Sequence, residues 1–388
     1  MEVMIETCCG IDVHQKSIVC CILDGPLESN KPKKIQKKFG TTTIALQNAL
    51  DWLLENHVTH VFFESTGQYW VPLFNIFSDS ELNLILANPQ HIKNVPGRKT
   101  DMKDAEWIAQ LGRCGLIEPS YIPSPEVMQL RLLTRRLRSY KQRQTQIKNE
   151  IHNLLQRANI KLTSYLSDIF SKTGQSLLTL FINGELIDYD NVTACIHKHV
   201  KASPEELMEA MNGKLSLEDR FLLEQSLEEY QLYQKLMNKL RSEIIAYIER
   251  SFPEENRLLQ MIPGVSETCA ATILAEIGPD VKAFQSDAHL ASWAGLCPGS
   301  YESAGIKKSS HITQGNRYIK QALTMSGLIT AHSKDNAFSS FYSKISQRGS
   351  KMKAVIACAH KLLRIIYKIL ATHQEYDKEK VLGLRQQF

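Results

Sequence analysis

The 388-residue chain has no apolar run long enough to span a membrane and no stretch of the signal-peptide type, so a cytoplasmic protein is expected. Cys-x-x-Cys spacing is missing as well. The nine cysteines are odd in number, and Cys8-Cys9 and Cys20-Cys21 fall inside apolar, strand-like runs. Reduced, mostly buried thiols are therefore expected rather than a disulfide framework. The only Cys/His run is Cys195, His197 and His199; without a distant partner it falls short of the four ligands a structural zinc takes. Net charge of either sign is scarce, at +5, but it is unevenly spread. Residues 31–38 and 131–148 are rich in Lys and Arg, while the region near 205–230 leans acidic. Basic stripes on a mildly charged chain suit a nucleic-acid partner, although charge runs also serve as solvated faces.

What the chain does have is four carboxylates in an informative pattern. Asp12 lies in GIDVH and Glu64 in VFFES, each in or at the end of an apolar, β-branched run. Asp101 and Asp104, in RKTDMKDAEW, are spaced i, i+3 at what reads as a helix start, so both project from one face. Two strand carboxylates and a helical pair can converge and hold two Mg²⁺ or Mn²⁺ ions, which clamp the attacking and leaving oxygens of a phosphodiester. An oxygen-only donor set selects such hard cations.

At this length two or three domains are expected. Residues 5–24 read as two strands around a turn near His14, Gln15 and Lys16, and residues 41–57 as a helix behind threonine caps. A strand over 57–65, a helix kinked near Pro72 and a strand over 82–88 follow. Strands alternating with helices indicate an α/β sheet with parallel members, of ribonuclease-H-like type, over residues 1–122. After PSPEVM the period changes. Leu130, Leu133, Leu137, Tyr140, Gln144, Ile147, Ile151 and Leu154 form one heptad seam, and Tyr230, Tyr233, Met237, Leu240, Ile244 and Tyr247 a second. Residues 123–252 therefore read as an antiparallel coiled-coil arm or a dimerisation element, with an ordinary helical bundle as the alternative. Beyond Pro253, residues 258–278 read as a helix-hairpin-helix whose Pro-Gly turn offers N–H groups to a phosphate, or as a hairpin used only for packing.

The second unusual stretch is GLCPGSYESAGIKKSSHITQGNR, residues 295–317, a long polar loop inside a helical region. It carries Gly295, Gly299, Gly305 and Gly315, several hydroxyls including Ser303, and the basic Lys307, Lys308 and Arg317. A free serine is a weak nucleophile without an activator, and Cys297 is a rival.

Taken together, GIDVHQKSIV, FESTGQYW, ANPQHIKNVPGRKTDMKDAEWIAQL, MIPGVSETCAATILAEIG and the 295–323 segment match, in type and order, the insertion-sequence transposases of the IS110 family. The chain resembles that family over nearly its full length. The resemblance implies a fold that is α/β plus all-α. A RuvC-like DEDD catalytic domain would cover residues 1–122, long coiled-coil helices 123–252, a C-terminal transposase domain 253–375, and a tail 376–388. It places the DEDD carboxylates on Asp12, Glu64, Asp101 and Asp104 and the nucleophile on Ser303. It further implies an RNA-guided recombinase in a prokaryotic cytoplasm, associated with the nucleoid. Target and donor DNA would be paired by a structured noncoding bridge RNA and exchanged through a phosphoserine intermediate. With carboxylates and serine in separate domains, a composite site in a homodimer or homotetramer joined by the coiled coil is expected. Arg98, Lys99, Arg135, Arg136, Arg138, Lys141, Arg143, Lys307, Lys308 and Arg317 would contact nucleic acid, with the 135–143 cluster projecting away from its helix's apolar seam. The alternative is a metal-dependent, RuvC-like junction-resolving endonuclease with no covalent intermediate.

Overall fold

The apolar runs at the start of the chain pair as strands. A computed structural model describes residues 2–28, 31–65, 67–89, 92, 104–197, 199–299, 301–303, 306–309, 312–334 and 336–383. The chain divides into two units, Met1–Ile122 and Pro123–Phe388.

In the first unit, β1 (Thr7–Val13), β2 (Ser17–Asp24), β3 (Lys33–Gly40), β4 (His60–Glu64) and β5 (Asn83–Ala87) form one sheet in the order β3-β2-β1-β4-β5. β2 runs antiparallel to both β1 and β3, while β1, β4 and β5 are mutually parallel. This is a mixed α/β sheet compatible with the ribonuclease-H-like expectation. The Lys-rich stretch 33–38, read only as basic sequence, is the edge strand β3; lysines there block pairing with another sheet.

Successive residues point to opposite faces. Cys9, Ile11, Val13, Val61 and Phe63 pack with α1 (Thr43–Glu55) and α2 (Trp70–Phe77). Cys8 and Phe62 pack on the other face with Ala105, Ile108, Ala109 and Leu111 of α3 (Asp104–Arg113). Thr42 caps α1 by accepting from the Ala45 N–H at 3.3 Å. The expected kink at Pro72 is absent, because α2 begins at Trp70 and places the proline in its first turn, where no intrahelical N–H is needed.

The second unit is built on two long helices, α4 (Pro125–Arg157) and, after the shorter α5 (Lys172–Asn183), α6 (Tyr189–Cys195) and α7 (Pro204–Ala210), α8 (Leu217–Ser251). Each long helix spans roughly 50 Å at 1.5 Å per residue. Ser124 caps α4, and a reciprocal Ser216–Asp219 capping box starts α8. The two run antiparallel. Tyr247 Oη donates to the Glu126 carbonyl at 3.0 Å, Gln144 Nε2 donates to Gln234 Oε1 at 2.9 Å, and Arg157 pairs with Asp219. Gln144, the polar seam position, is thus buried with its amide satisfied.

Of the two readings of the seams, this is the antiparallel arm: Leu137, Ile147, Met237 and Ile244 are buried within one chain. Beyond α8 come α9 (Pro253–Gln260), α10 (Glu267–Ile277), α11 (Asp287–Trp293), the hairpin β6 (Tyr301–Ser303) and β7 (Ile306–Ser309), then α12 (Arg317–Ala331), α13 (Asn336–Arg348), α14 (Lys351–Thr372) and α15 (Lys378–Gly383). At the α9–α10 turn Gly264, at φ +79°, lies so close to α12 that a Cβ would meet Thr330 Cγ2 at 2.5 Å, so glycine there permits close packing. Among the described residues no helix is long and apolar enough to cross a membrane.

If the seam closes within the chain, Leu137→Asp or Ile244→Asp buries an unpaired charge at a cost of roughly 3–5 kcal/mol. Thermal unfolding should then begin earlier in both variants while light scattering reports an unchanged mass. A smaller species with an unchanged melting temperature would return the seam to an interface between protomers.

Candidate active site

β1 and β4 are parallel neighbours, with Gly10 beside Phe62 and Ile11 beside Phe63. One further step in that register sets Asp12 beside Glu64 at the carboxyl ends of both strands. Alternation decides the face. Asp12 follows Cys8 and Gly10, and Glu64 follows Phe62, so both carboxylates point to the α3 side.

α3 lies unusually close to that face. A Cβ on Gly10 would sit 2.2 Å from the Ala105 carbonyl oxygen and 2.4 Å from the Ala109 nitrogen. Only glycine permits the contact. At the other end of the helix, the Arg113 carbonyl accepts from the Met4 N–H at 2.9 Å. α3 therefore runs antiparallel to β1, and its first residue, Asp104, approaches the strand end that carries Asp12. Asp12 and Glu64 thus share one face and one end of the sheet, and the start of α3 approaches that end. Asp101 and the basic Arg98 and Lys99 lie outside the described residues. The carboxylates form no closed cage: among the described residues no three His, Cys, Asp or Glu side chains gather closely enough to hold an ion. The donor chemistry nonetheless fits a hard divalent cation, being carboxylate oxygen without thiolate.

A residue the sequence reading passed over lies beside this set. His14 Nε2 is 3.1 Å from Asp12 Oδ2, at the turn where the His14 N–H donates to the Ser17 carbonyl at 3.0 Å. The sequence marked it only as a turn residue; an imidazole two positions from a strand carboxylate was the available signal.

In the second unit the described residues of the long polar stretch include the paired strands β6 and β7, with Ser303 opposite Ile306. Ser303 is the last residue of β6. Lys307 and Lys308 lie on β7, Lys307 opposite Glu302. The rival nucleophile Cys297 has its thiol pushed up by burial, which leaves less thiolate near neutral pH. Cys195, in the buried α5–α7 core, is pushed up in the same way.

The basic cluster of α4 divides in two. Arg135 makes a two-pronged bond to Glu276, at 2.9 and 2.8 Å, and its guanidinium stacks 4.2 Å from the Tyr318 ring centroid. Arg138 stacks on the same ring at 4.6 Å and donates to the Arg317 carbonyl at 3.3 Å. The expectation that all these cations project outward is therefore corrected. Arg135 and Arg138 face the helices behind α4, Arg135 drawn to the buried Glu276 carboxylate and Arg138 held on the Tyr318 ring. Arg136, Lys141 and Arg143 are exposed, with Arg143 donating to Tyr233 Oη at 3.2 Å; Arg317 is exposed at the start of α12. Glu276 was missed in the sequence, where a lone acid near the end of the apolar helix ETCAATILAEI was its one signal.

Comparison with known proteins adds the family context. A family model of the DEDD IS110 type, described as transposase, matches residues 9–160, and one described as transposase of the IS116/IS110/IS902 family matches residues 256–343. Over 132 residues the chain is 36% identical to the pilin gene-inverting protein of Moraxella bovis, covering 32% of this chain and 41% of that protein. Over 129 residues it is 29% identical to the insertion element IS110 uncharacterized 43.6 kDa protein of Streptomyces coelicolor, covering 33% and 31%. The chain thus spans about two fifths or less of the length of these relatives. The first model takes in Asp12, Glu64, Asp101 and Asp104, and the second takes in Glu276, Ser303 and Asn316.

If the carboxylates bind metal together, Asp12→Asn and Glu64→Gln should melt at or above the wild-type temperature in chelated buffer, since each removes a like-charge neighbour. Millimolar Mn²⁺ should raise the melting temperature of the wild type but not of either variant. An equal rise in all three proteins would place the metal elsewhere.

Proposed function

Since the chain belongs to the IS110 family of transposases, we propose that it is a DNA recombinase that cuts and rejoins strands through a phosphoserine on Ser303. Asp12, Glu64, Asp101 and Asp104 hold Mg²⁺ or Mn²⁺, and a structured noncoding RNA guides the choice of donor and target DNA. The observation that carries this reading is the placement of Asp12, Glu64 and the amino end of α3 on one face at one end of the sheet. It fits a RuvC-like unit whose catalytic groups gather where parallel strands end. When bound, the divalent ions would offset the charge that builds on the phosphate oxygens.

The serine supplies the covalent step. Its Oγ gives up a proton and forms a bond to phosphorus, the P–O bond to the neighbouring deoxyribose oxygen breaks, and that oxygen leaves protonated. Reversal by the deoxyribose hydroxyl of another strand rejoins the DNA and frees the serine. Energy in the broken bond is kept in the phosphoserine, so no external cofactor drives the exchange. The name of the Moraxella bovis relative favours this over simple cutting, because inverting a gene requires ends to be rejoined. RNA guidance rests on the family resemblance. Exposed Arg136, Lys141, Arg143 and Arg317, and the lysines of β3, favour contacts to phosphates, which fix position without reading bases.

Neutralising Arg136, Lys141 and Arg143 together should flatten the log–log dependence of duplex-DNA affinity on salt, by about 0.9 for each phosphate that the variant no longer neutralises. Arg135→Gln should instead lower the melting temperature, since it strips a partner from a buried carboxylate. Equal slopes in the triple variant and the wild type would remove this face from the nucleic-acid interface.

The experiment that tests the whole reading combines purified protein, Mg²⁺, donor and target duplexes, and the noncoding RNA transcribed beside the gene. Denaturing gels should show a protein–DNA band that Ser303→Ala abolishes while DNA and RNA binding persist. Recombination without RNA would overturn the guide. Clean hydrolytic cuts with no adduct, unchanged in Ser303→Ala, would favour the metal-dependent endonuclease.

A further inference from the structure

Between Trp293 and Asn316 the described residues form an arm that leaves α11, carries β6 and β7, and returns to α12. Its two legs are fastened together at the root. The Thr313 N–H donates to the Cys297 carbonyl at 3.1 Å, and the Asn316 N–H to the Trp293 carbonyl at 3.0 Å. Gly295, at φ +69°, and Gly315 touch backbone to backbone, and a Cβ on Gly315 would meet the Gly295 nitrogen at 2.3 Å.

This root is tied to one buried carboxylate. Glu276 is fully shielded from water, and Asn316 Nδ2 donates to its Oε2 at 2.6 Å. Asn316 Oδ1 meanwhile accepts from the N–H groups of Tyr318 and Ile319, at 2.9 and 3.3 Å, and so starts α12. On its other side the carboxylate takes both prongs of Arg135. Arg131 reinforces the joint, donating to the Ala275 and Glu276 carbonyls at 2.9 and 2.7 Å. Stability alone does not account for the arrangement. Desolvating a carboxylate and a guanidinium costs several kcal/mol, and well-packed apolar side chains in their place often hold a fold as firmly. What the charged joint adds is direction, since a two-pronged Arg–carboxylate pair fixes angle as well as distance.

Resting on the Ser303 reading, we propose that Arg135, Glu276 and Asn316 are positioning residues. They lock the serine arm to the long helix α4, so that the strand carrying Ser303 is presented in one fixed orientation. None of the three touches the reacting phosphate.

The test exchanges donor and acceptor at the joint. Asn316→Asp keeps the cap on α12, since aspartate accepts the same N–H bonds, but sets a second carboxylate against Glu276. Adding Glu276→Gln restores a donor–acceptor pair with its polarity reversed. Backbone amide exchange is read on β6 and β7, with α5–α7 of the same unit as the internal control. Asn316→Asp should speed exchange in the hairpin at least tenfold and leave α5–α7 unchanged. It should also slow adduct formation at least tenfold, with DNA affinity within twofold of wild type. The double variant relieves the like-charge contact but gives up one prong of Arg135, and should recover part of both losses. If Asn316→Asp does not fold, Asn316→Ser, which keeps the cap and deletes the donor, carries the same exchange measurement. Unchanged hairpin exchange, or a double variant no better than Asn316→Asp, overturns the proposal. Faster exchange with unchanged adduct formation would show that the joint holds the hairpin without positioning the nucleophile, and would overturn the positioning role, whereas an adduct that survives Ser303→Ala would overturn Ser303 itself.

Discussion

A carboxylate with no access to water must be given partners, and Glu276 organises much of the second unit by requiring them. Removing one partner of such a buried pair costs roughly 3–5 kcal/mol, because the remaining charge has nowhere to go. The requirement fixes the rotation of α4, since Arg131 and Arg135 must face α10. With that face committed inward, the exposed cations of the helix fall on Arg136, Lys141 and Arg143. The same carboxylate holds Asn316, and Asn316 starts α12. One buried side chain thus joins a long helix, a short one, and the arm that carries the serine.

The first unit solves its placement problem with backbone rather than charge. Gly10 lets α3 press directly on β1, and the helix then runs back along the strand until Asp104 nears its carboxyl end. Carboxylates on neighbouring strand positions, as Asp12 and Glu64 are, repel, so the scaffold must supply the energy to hold them. Here that energy comes from apolar contact along both sheet faces: Phe63, Leu53 and Phe77 on one, Phe62, Ile108 and Leu111 on the other. A divalent cation would then relieve the repulsion and reward the same geometry.

Much of this was legible in the sequence. The β1–β2 pair, α1, β4 and β5 follow from period-2 and period-3.6 patterns, and the strand positions of Asp12 and Glu64 follow with them. β3 was hidden because four lysines in eight residues read as charge rather than as an edge strand. Pro72 suggested a kink because its place in the first turn depends on where α2 begins. The heptad seams were real as apolar stripes, but a stripe does not state whether its partner is the same chain or another. The α4 cations were misdirected for a related reason. Local pattern gave the apolar seam of the helix, whereas Glu276, some 140 positions away, decided which arginines turn inward. Contacts of that separation are set by tertiary structure and leave only a faint local mark, here an acid near the end of an apolar helix.

The account turns on a covalent bond between Ser303 and DNA, and the handedness of phosphorus reports that bond directly. A donor strand carrying one phosphorothioate of defined configuration at the scissile position would be recombined and the product's configuration determined. Attack by serine followed by attack of a deoxyribose hydroxyl comprises two in-line displacements, each inverting the centre, so retention is the predicted result. Net inversion would show a single direct transfer with no enzyme-linked intermediate and would contradict the account.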